Sequence, residues 1–204
     1  MSRAGGDDMN FSVVSNGKLT TLYTFCSLSN CADGTGPYAP LIQASDGNFY
    51  GTTGYGGANG GGTIFEITQA GTLTTLYSFC AQSNCADGRA PVAALVQNTN
   101  GTFYGTSYLG GTSNDGTVFS LAAGLAPFVE TQPGRGKVGQ NVEILGTNLT
   151  GSTSVTFNGT PAAFTVESGS YIKTTVPAGA TTGKVEVVTP SGTLSSNVPF
   201  RVAP

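Results

Sequence analysis

The sequence predicts an all-β chain: a partial β-propeller of two blade-type repeats, followed by a β-sandwich. Three observations carry that prediction. Residues 25–34, Phe-Cys-Ser-Leu-Ser-Asn-Cys-Ala-Asp-Gly, return nearly unchanged at 79–88, an offset of 54. Within each repeat, short apolar and β-branched runs are separated by glycine turns. After Leu121 the repeat stops and the composition shifts toward Val, Thr and Gly. A period near 50 made of short β runs describes units that each bury a face against the next.

The offset holds along the whole unit. Gly17 to Tyr23 return as Gly71 to Tyr77, Asn48 to Thr52 as Thr102 to Thr106, and Gly62 to Phe65 as Gly116 to Phe119. The repeats therefore run about 11–64 and 65–118, within a repeat region of 1–121. Four strands are expected per unit. Residues 39–44 enter after Pro37, and Asp46-Gly47 is a hairpin turn signal. Residues 48–53 follow, then a glycine-rich link from Gly54 to Gly62. Residues 63–68 alternate apolar and polar, and Gln69-Ala70-Gly71 turns the chain into 72–79. Four antiparallel strands per unit make a propeller blade, although the same strands could also stack as a sandwich.

The chain opens inside a repeat. Phe11 and Val13 align with Phe65 and Ile67, and Ala4-Gly5-Gly6 resembles Tyr55-Gly56-Gly57. The strand order is then two (about 11–14 and 19–25), four (39–79) and three (93–121). Two blades cannot close a ring, since propellers take about four to eight. The expectation is a head-to-tail homo-oligomer, a trimer of six blades favoured, in which residues 19–25 of one chain complete 93–121 of the next.

These repeats are similar to the tandem repeat called GloVer of secreted bacterial proteins. Its signature runs G-x-L-x-T-L-Y-x-F, then D-G-x-x-P, F-Y-G-T-T and G-T-V-F, and several of these motifs match in order in both copies over roughly 11–121. The resemblance implies a secreted or surface repeat array, often with sorting or anchoring ends, and no settled activity.

Residues 122–126 form a small, uncharged linker ahead of Pro127. Beyond it come Val138 to Leu149, Val155 to Gly159, Ile172 to Pro177 and Gly183 to Val187. These short alternating strands with Gly, Asn and Pro turns suit a sandwich. The segment resembles an IPT/TIG domain, which implies an immunoglobulin-like sandwich over 127–204.

Charged residues are few, 8 basic and 11 acidic, with no His and no Trp. The net charge of −3 leaves no basic footprint for nucleic acid. No apolar run reaches the length of a membrane span, and residues 1–10 do not read as a signal peptide. Cys26 and Cys31 recur as Cys80 and Cys85, a pairing that suits two local disulfides. A four-thiolate metal site or free thiols are the alternatives. Disulfides would place the protein outside the cytoplasm, extracellular or on the cell surface.

Without His, no Ser-His-Asp or Cys-His machinery can be built from this chain. Three sets of residues remain as candidates. Asp33 and Asp87, with Arg89 beside the second, lie in the cysteine loops, where a blade would bring them to the mouth of a central channel. Carboxylates there, with Asp115, could hold Ca²⁺ or another divalent metal, or act as acid and base; Asp-Gly could equally be turn chemistry. Asn59, Asn114 and Asp115 lie in loops opening on the same face, as ligand groups or turn formers. The third set is aromatic: Tyr38, Tyr50, Tyr55, Tyr104 and Tyr108, able to present a surface to a sugar. Tyr50 and Tyr104 fall inside strands, where packing is expected. The leading expectation is a non-catalytic module for surface assembly, adhesion or binding of a polysaccharide or small molecule. The alternative is a metal-dependent hydrolase of esters, lactones or phosphotriesters.

Overall fold

The computed structural model describes residues 10–15 and 18–204, with side chains from residue 19 onward. The resemblance of Ala4-Gly5-Gly6 to Tyr55-Gly56-Gly57 lies outside the described residues. Two compact units are present. One runs to Gln97 and resumes over Phe103–Ala123; the other comprises Asn98–Thr102 and Gly124–Pro204.

The first unit is built of antiparallel sheets whose strands neighbour one another in chain order. β1 (Asn10–Ser15) pairs with β2 (Lys18–Thr24). After a 3-10 turn at Ser29–Cys31, four strands form one sheet: β3 (Ile42–Gln43), β4 (Phe49–Thr53), β5 (Thr63–Ile67) and β6 (Leu73–Ser78). A second 3-10 turn, Ser83–Cys85, leads to a sheet of three: β7 (Val96–Gln97), β8 (Phe103–Ser107) and β9 (Thr117–Leu121). The expected Asp46-Gly47 turn closes with Gly47 N–H on Ala44 O at 2.9 Å, and Gly47 takes φ 88°. Short strands and tight turns leave each sheet with an apolar face that only another sheet can cover.

The repeat also sets how sheets pack. Phe25 meets Phe65 edge-on at 4.9 Å, and Phe79 meets Phe119 in the same way at 5.0 Å. Tyr50 lies on Phe103 with ring centroids 4.5 Å apart, and Thr52 Oγ1 donates to Ala93 O at 3.3 Å. Edge-to-face pairs of this kind add about 1 kcal/mol to the area they bury.

The offset of 54 fails at one place. Phe11 stands opposite Tyr23, whereas in the second copy it is Ile64 that stands opposite Tyr77. Along β1 the offset is therefore 53, and Phe11 and Val13 are not the equivalents of Phe65 and Ile67. A one-residue slip exchanges the two faces of a strand. The alternation of Phe11 and Val13 fits either register, so the sequence alone did not decide it.

The second unit is a two-sheet fold. One sheet orders β10 (Glu130–Gln132), β12 (Asn141–Leu145), β16 (Tyr171–Thr175) and β15 (Phe164–Ser168), with β11 (Arg135–Gly136) between the first two in sequence. The other orders β14 (Thr160–Pro161), β13 (Ser154–Phe157), β17 (Val185–Thr189) and β18 (Gly192–Ser195). β11 pairs in parallel with β19 (Arg201–Val202). Alternation does the sorting: in β12 Val142 and Ile144 are buried while their neighbours are exposed, and in β17 Val185 and Val187 are buried. These residues join Val129, Leu149, Val155, Phe157, Ile172, Val176 and Phe200 in one apolar core.

Candidate functional site

The two cysteine loops are near copies. Cys26–Cys31 and Cys80–Cys85 are disulfide-bonded, as the doubled spacing predicts. Cys26, Asn30 and Cys31 take φ of 61°, 57° and 51°, and Cys80, Asn84 and Cys85 take 63°, 57° and 54°. Left-handed backbone costs an L residue roughly 1–2 kcal/mol each, so both loops need a brace. The disulfide is one brace and the following aspartate is the other.

Asp33 is 1% exposed, and its oxygens look inward. Oδ2 accepts from Tyr23 Oη at 2.8 Å and from Ser27 N and Oγ at 2.9 Å each, while Oδ1 accepts from Leu28 N at 3.3 Å. Asp87 repeats the pattern with Tyr77 Oη at 2.8 Å, Ala81 N at 3.0 Å and Gln82 N at 3.2 Å. Burial pushes both carboxyls up. The hydrogen bonds outweigh it, led by those from the two tyrosines, and both groups sit below the ordinary carboxylate value. Each carboxylate thus holds its own loop closed. Among the described residues, no three His, Cys, Asp or Glu side chains converge closely enough to hold a metal ion.

The other polar candidates are placed as follows. Arg89 has an exposed side chain, and its backbone bridges Leu109. Asn59 Nδ2 donates to Ser78 O at 3.2 Å. Asn114 occupies the left-handed position that Gly60 holds in the first repeat, at φ 59°, and its Oδ1 accepts from Gly110 N at 3.2 Å. Asp115 is exposed beside it. Asn59 therefore ties its loop to the end of β6, and Asn114 braces its own loop.

The aromatic set divides in two. Tyr50 is buried at 2% exposure, its hydroxyl donating to Asp46 Oδ2 at 3.0 Å; burial, then that carboxylate, raises its phenol. Tyr104, expected to pack, is instead 40% exposed: Phe103 of the following sheet covers Tyr50, and among the described residues no further repeat sheet follows β7–β9 to cover Tyr104. Tyr38 and Tyr55 stand 58% and 54% exposed, rings 6.2 Å apart and nearly perpendicular. They share one sheet end, where Thr35 and Tyr55 bridge and Gly54 N–H donates to Gly36 O at 2.8 Å.

Under Tyr38 lies bare backbone. A Cβ at Gly36 would come within 2.8 Å of its ring, and one at Gly54 within 3.0 Å of the ring and 3.3 Å of Val92. The Cδ2–Cε2 side of the ring stands against these two glycines, with the 41% exposed Val92 beside Gly54. In the second repeat the corresponding positions carry Ala90, Val92, Tyr108 and Leu109, with Tyr108 70% exposed. The backbone is shared between copies and the surface side chains differ. The floor and Val92 escape the sequence, because Gly54 reads only as the start of a glycine-rich link and nothing in the sequence singles out Gly36.

A family model described as the Gloeobacter/Verrucomicrobia repeat matches residues 9–161. The chain belongs to this repeat family. Residues 129–202 match the IPT/TIG domain, so the Gloeobacter/Verrucomicrobia repeat region is followed by an immunoglobulin-like module. The repeat match reaches beyond the resemblance read at 11–121 and overlaps the IPT/TIG match over 129–161. No curated protein matches the chain.

Two solved structures are similar in part. SGBP-B from a complex xyloglucan utilization locus in Bacteroides uniformis shares 12% identity at a TM-score of 0.32, over 67% of this chain and 35% of that one. Gamma-CGTase from alkalophilic Bacillus clarkii shares 19% at 0.36, over 80% and 25%. The chain spans about a third and a quarter of their lengths, and TM-scores this low do not establish a shared fold.

Proposed function

We propose that this chain is a non-catalytic extracellular module that binds a carbohydrate at the end of the first unit bearing Tyr38 and Tyr55. The observation that carries the reading is the exposed tyrosine pair, held open on a glycine floor. A sugar ring offers an apolar C–H face edged with hydroxyls, which suits a tyrosine's apolar ring and polar tip. Gly36 and Gly54 leave the space that the Tyr38 ring occupies, so the ring is held against them before a ligand arrives. Preorganisation of this kind lowers the entropy lost on binding. Two disulfides support an oxidising compartment. The carboxylates of Asp33 and Asp87 serve loop closure, which supports binding over acid–base chemistry.

Affinity electrophoresis through gels containing glucans, xylans or mannans tests the reading. Retardation on at least one polymer is expected, and Tyr38→Ala or Tyr55→Ala should weaken it about tenfold, equivalent to about 1.4 kcal/mol. Unretarded migration on all of them, or retardation indifferent to both substitutions, would overturn it.

A further inference from the structure

The internal repeat shows what ought to cover β9. β5 is flanked by β4 and β6, whereas among the described residues β9 is flanked by β8 alone. Beside that open edge lies a cleft of about 380 Å³, lined by Ile64, Tyr77, Phe79, Val118, Phe119 and Leu121. Val118 is 81% exposed and Phe119 half-buried, although Phe65, its equivalent, is 1% exposed. After Leu121 the chain passes into the sandwich, so β9 is followed by no further repeat strand.

The strand that fits is already present elsewhere. β6 begins Leu73-Thr74-Thr75-Leu76-Tyr77, and β2 carries Leu19-Thr20-Thr21-Leu22-Tyr23. β2 is paired with β1, a poor substitute for its repeat partner. Where β5 brings Thr63, Ile64, Phe65, Glu66 and Ile67 to the ladder, β1 brings Asn10, Phe11, Ser12, Val13 and Val14. β9 offers Thr117, Val118, Phe119, Ser120 and Leu121, which keeps the phenylalanine in place. Leu19 is also 63% exposed, whereas its equivalent Leu73 packs into the cluster of Leu22 and Phe25.

We propose that β9 accepts β2 of a second copy of this chain, in place of that copy's own β1. The register copies β5 on β6: Val118 opposite Tyr23, Phe119 opposite Thr21, and Leu121 opposite Leu19 of the incoming strand. The incoming Leu19 packs beside Leu76 and Phe79, the equivalents of Leu22 and Phe25. An interface that the chain already forms within itself is thereby continued between copies. The donor is another copy, because one chain has two sheets between β2 and β9 and a closed ring takes about four to eight. Such a head-to-tail contact is heterologous and closes when the rotation per copy divides the circle. Three copies give six sheets.

Light scattering on the full chain at micromolar concentration, with Val118→Lys and Leu19→Lys variants, tests this. Both positions are mostly exposed within the single chain, so the variants should fold. The expected mass is that of three chains, falling to one chain in either variant, while Val138→Lys on the exposed sandwich surface leaves it unchanged. Two or four chains with the same sensitivity support the same contact. A monomeric parent, or an oligomer indifferent to both lysines, overturns it.

Discussion

Asp33 and Asp87 show how one side chain can determine a loop. Each follows a disulfide by two residues and gathers the amides and hydroxyl that the left-handed loop would otherwise leave without protein partners. Tyrosines ten residues upstream reach the same carboxylates from β2 and β6. Hydrogen bonds to a charged group contribute about 1.5–3 kcal/mol, so Asp33→Asn should lower stability by about 2 kcal/mol near neutral pH. The sign with pH follows from the lowered carboxyl: the stabilisation is full above the unfolded value near 4 and declines as pH falls through the folded value. Urea unfolding from pH 7 to pH 3 should show parent and Asp33→Asn converging at the acid end. A difference that stays constant or widens toward pH 3 would contradict this role.

At the scale of the element, equivalent residues differ in worth because their surroundings differ. Phe65 and Phe119 occupy the same repeat position and each receives an edge-on phenylalanine, but among the described residues only Phe65 has strands on both sides of its own. Phe65→Ala should cost about 3–5 kcal/mol, the range for a buried phenylalanine. Phe119→Ala should cost clearly less when both are measured in the Val118→Lys background, where β9 stays open. Equal losses in urea melts would mean that β9 is already covered. Much of this was legible in the sequence. The strands of the full repeat fall within a few residues of their expected positions, because Asp46-Gly47 and Gln69-Ala70-Gly71 set hairpin turns locally. What escaped depends on contacts through space. The slip at β1 is invisible to alternation, the partners of Asp33 are not its sequence neighbours, and the floor beneath Tyr38 is made by residues whose side chains are absent.

For the whole molecule, each unit carries its own means of cohesion. The first relies on a repeated sheet-to-sheet contact and two stapled loops, and among the described residues its β9 edge has no partner. The second closes on itself: residues from Val129 to Phe200 bury one core between two sheets, with the Phe157 and Phe200 rings 5.1 Å apart. Lys184 ties its far end, with Nζ donating to Ser196 O and Asn197 O at 2.7 Å each. A domain of roughly 80 residues with one core is near the small end of what folds alone, so its margin is a few kcal/mol. Residues 124–204 expressed separately should still give a cooperative thermal melt and a β-type dichroism spectrum, unaffected by reductant because the segment has no cysteine. Phe157→Ala in that fragment removes the ring that meets Phe200 and should abolish the transition, at a cost of about 3–5 kcal/mol. A fragment that melts without cooperativity even before that substitution would show that the sandwich draws its stability from the repeat region.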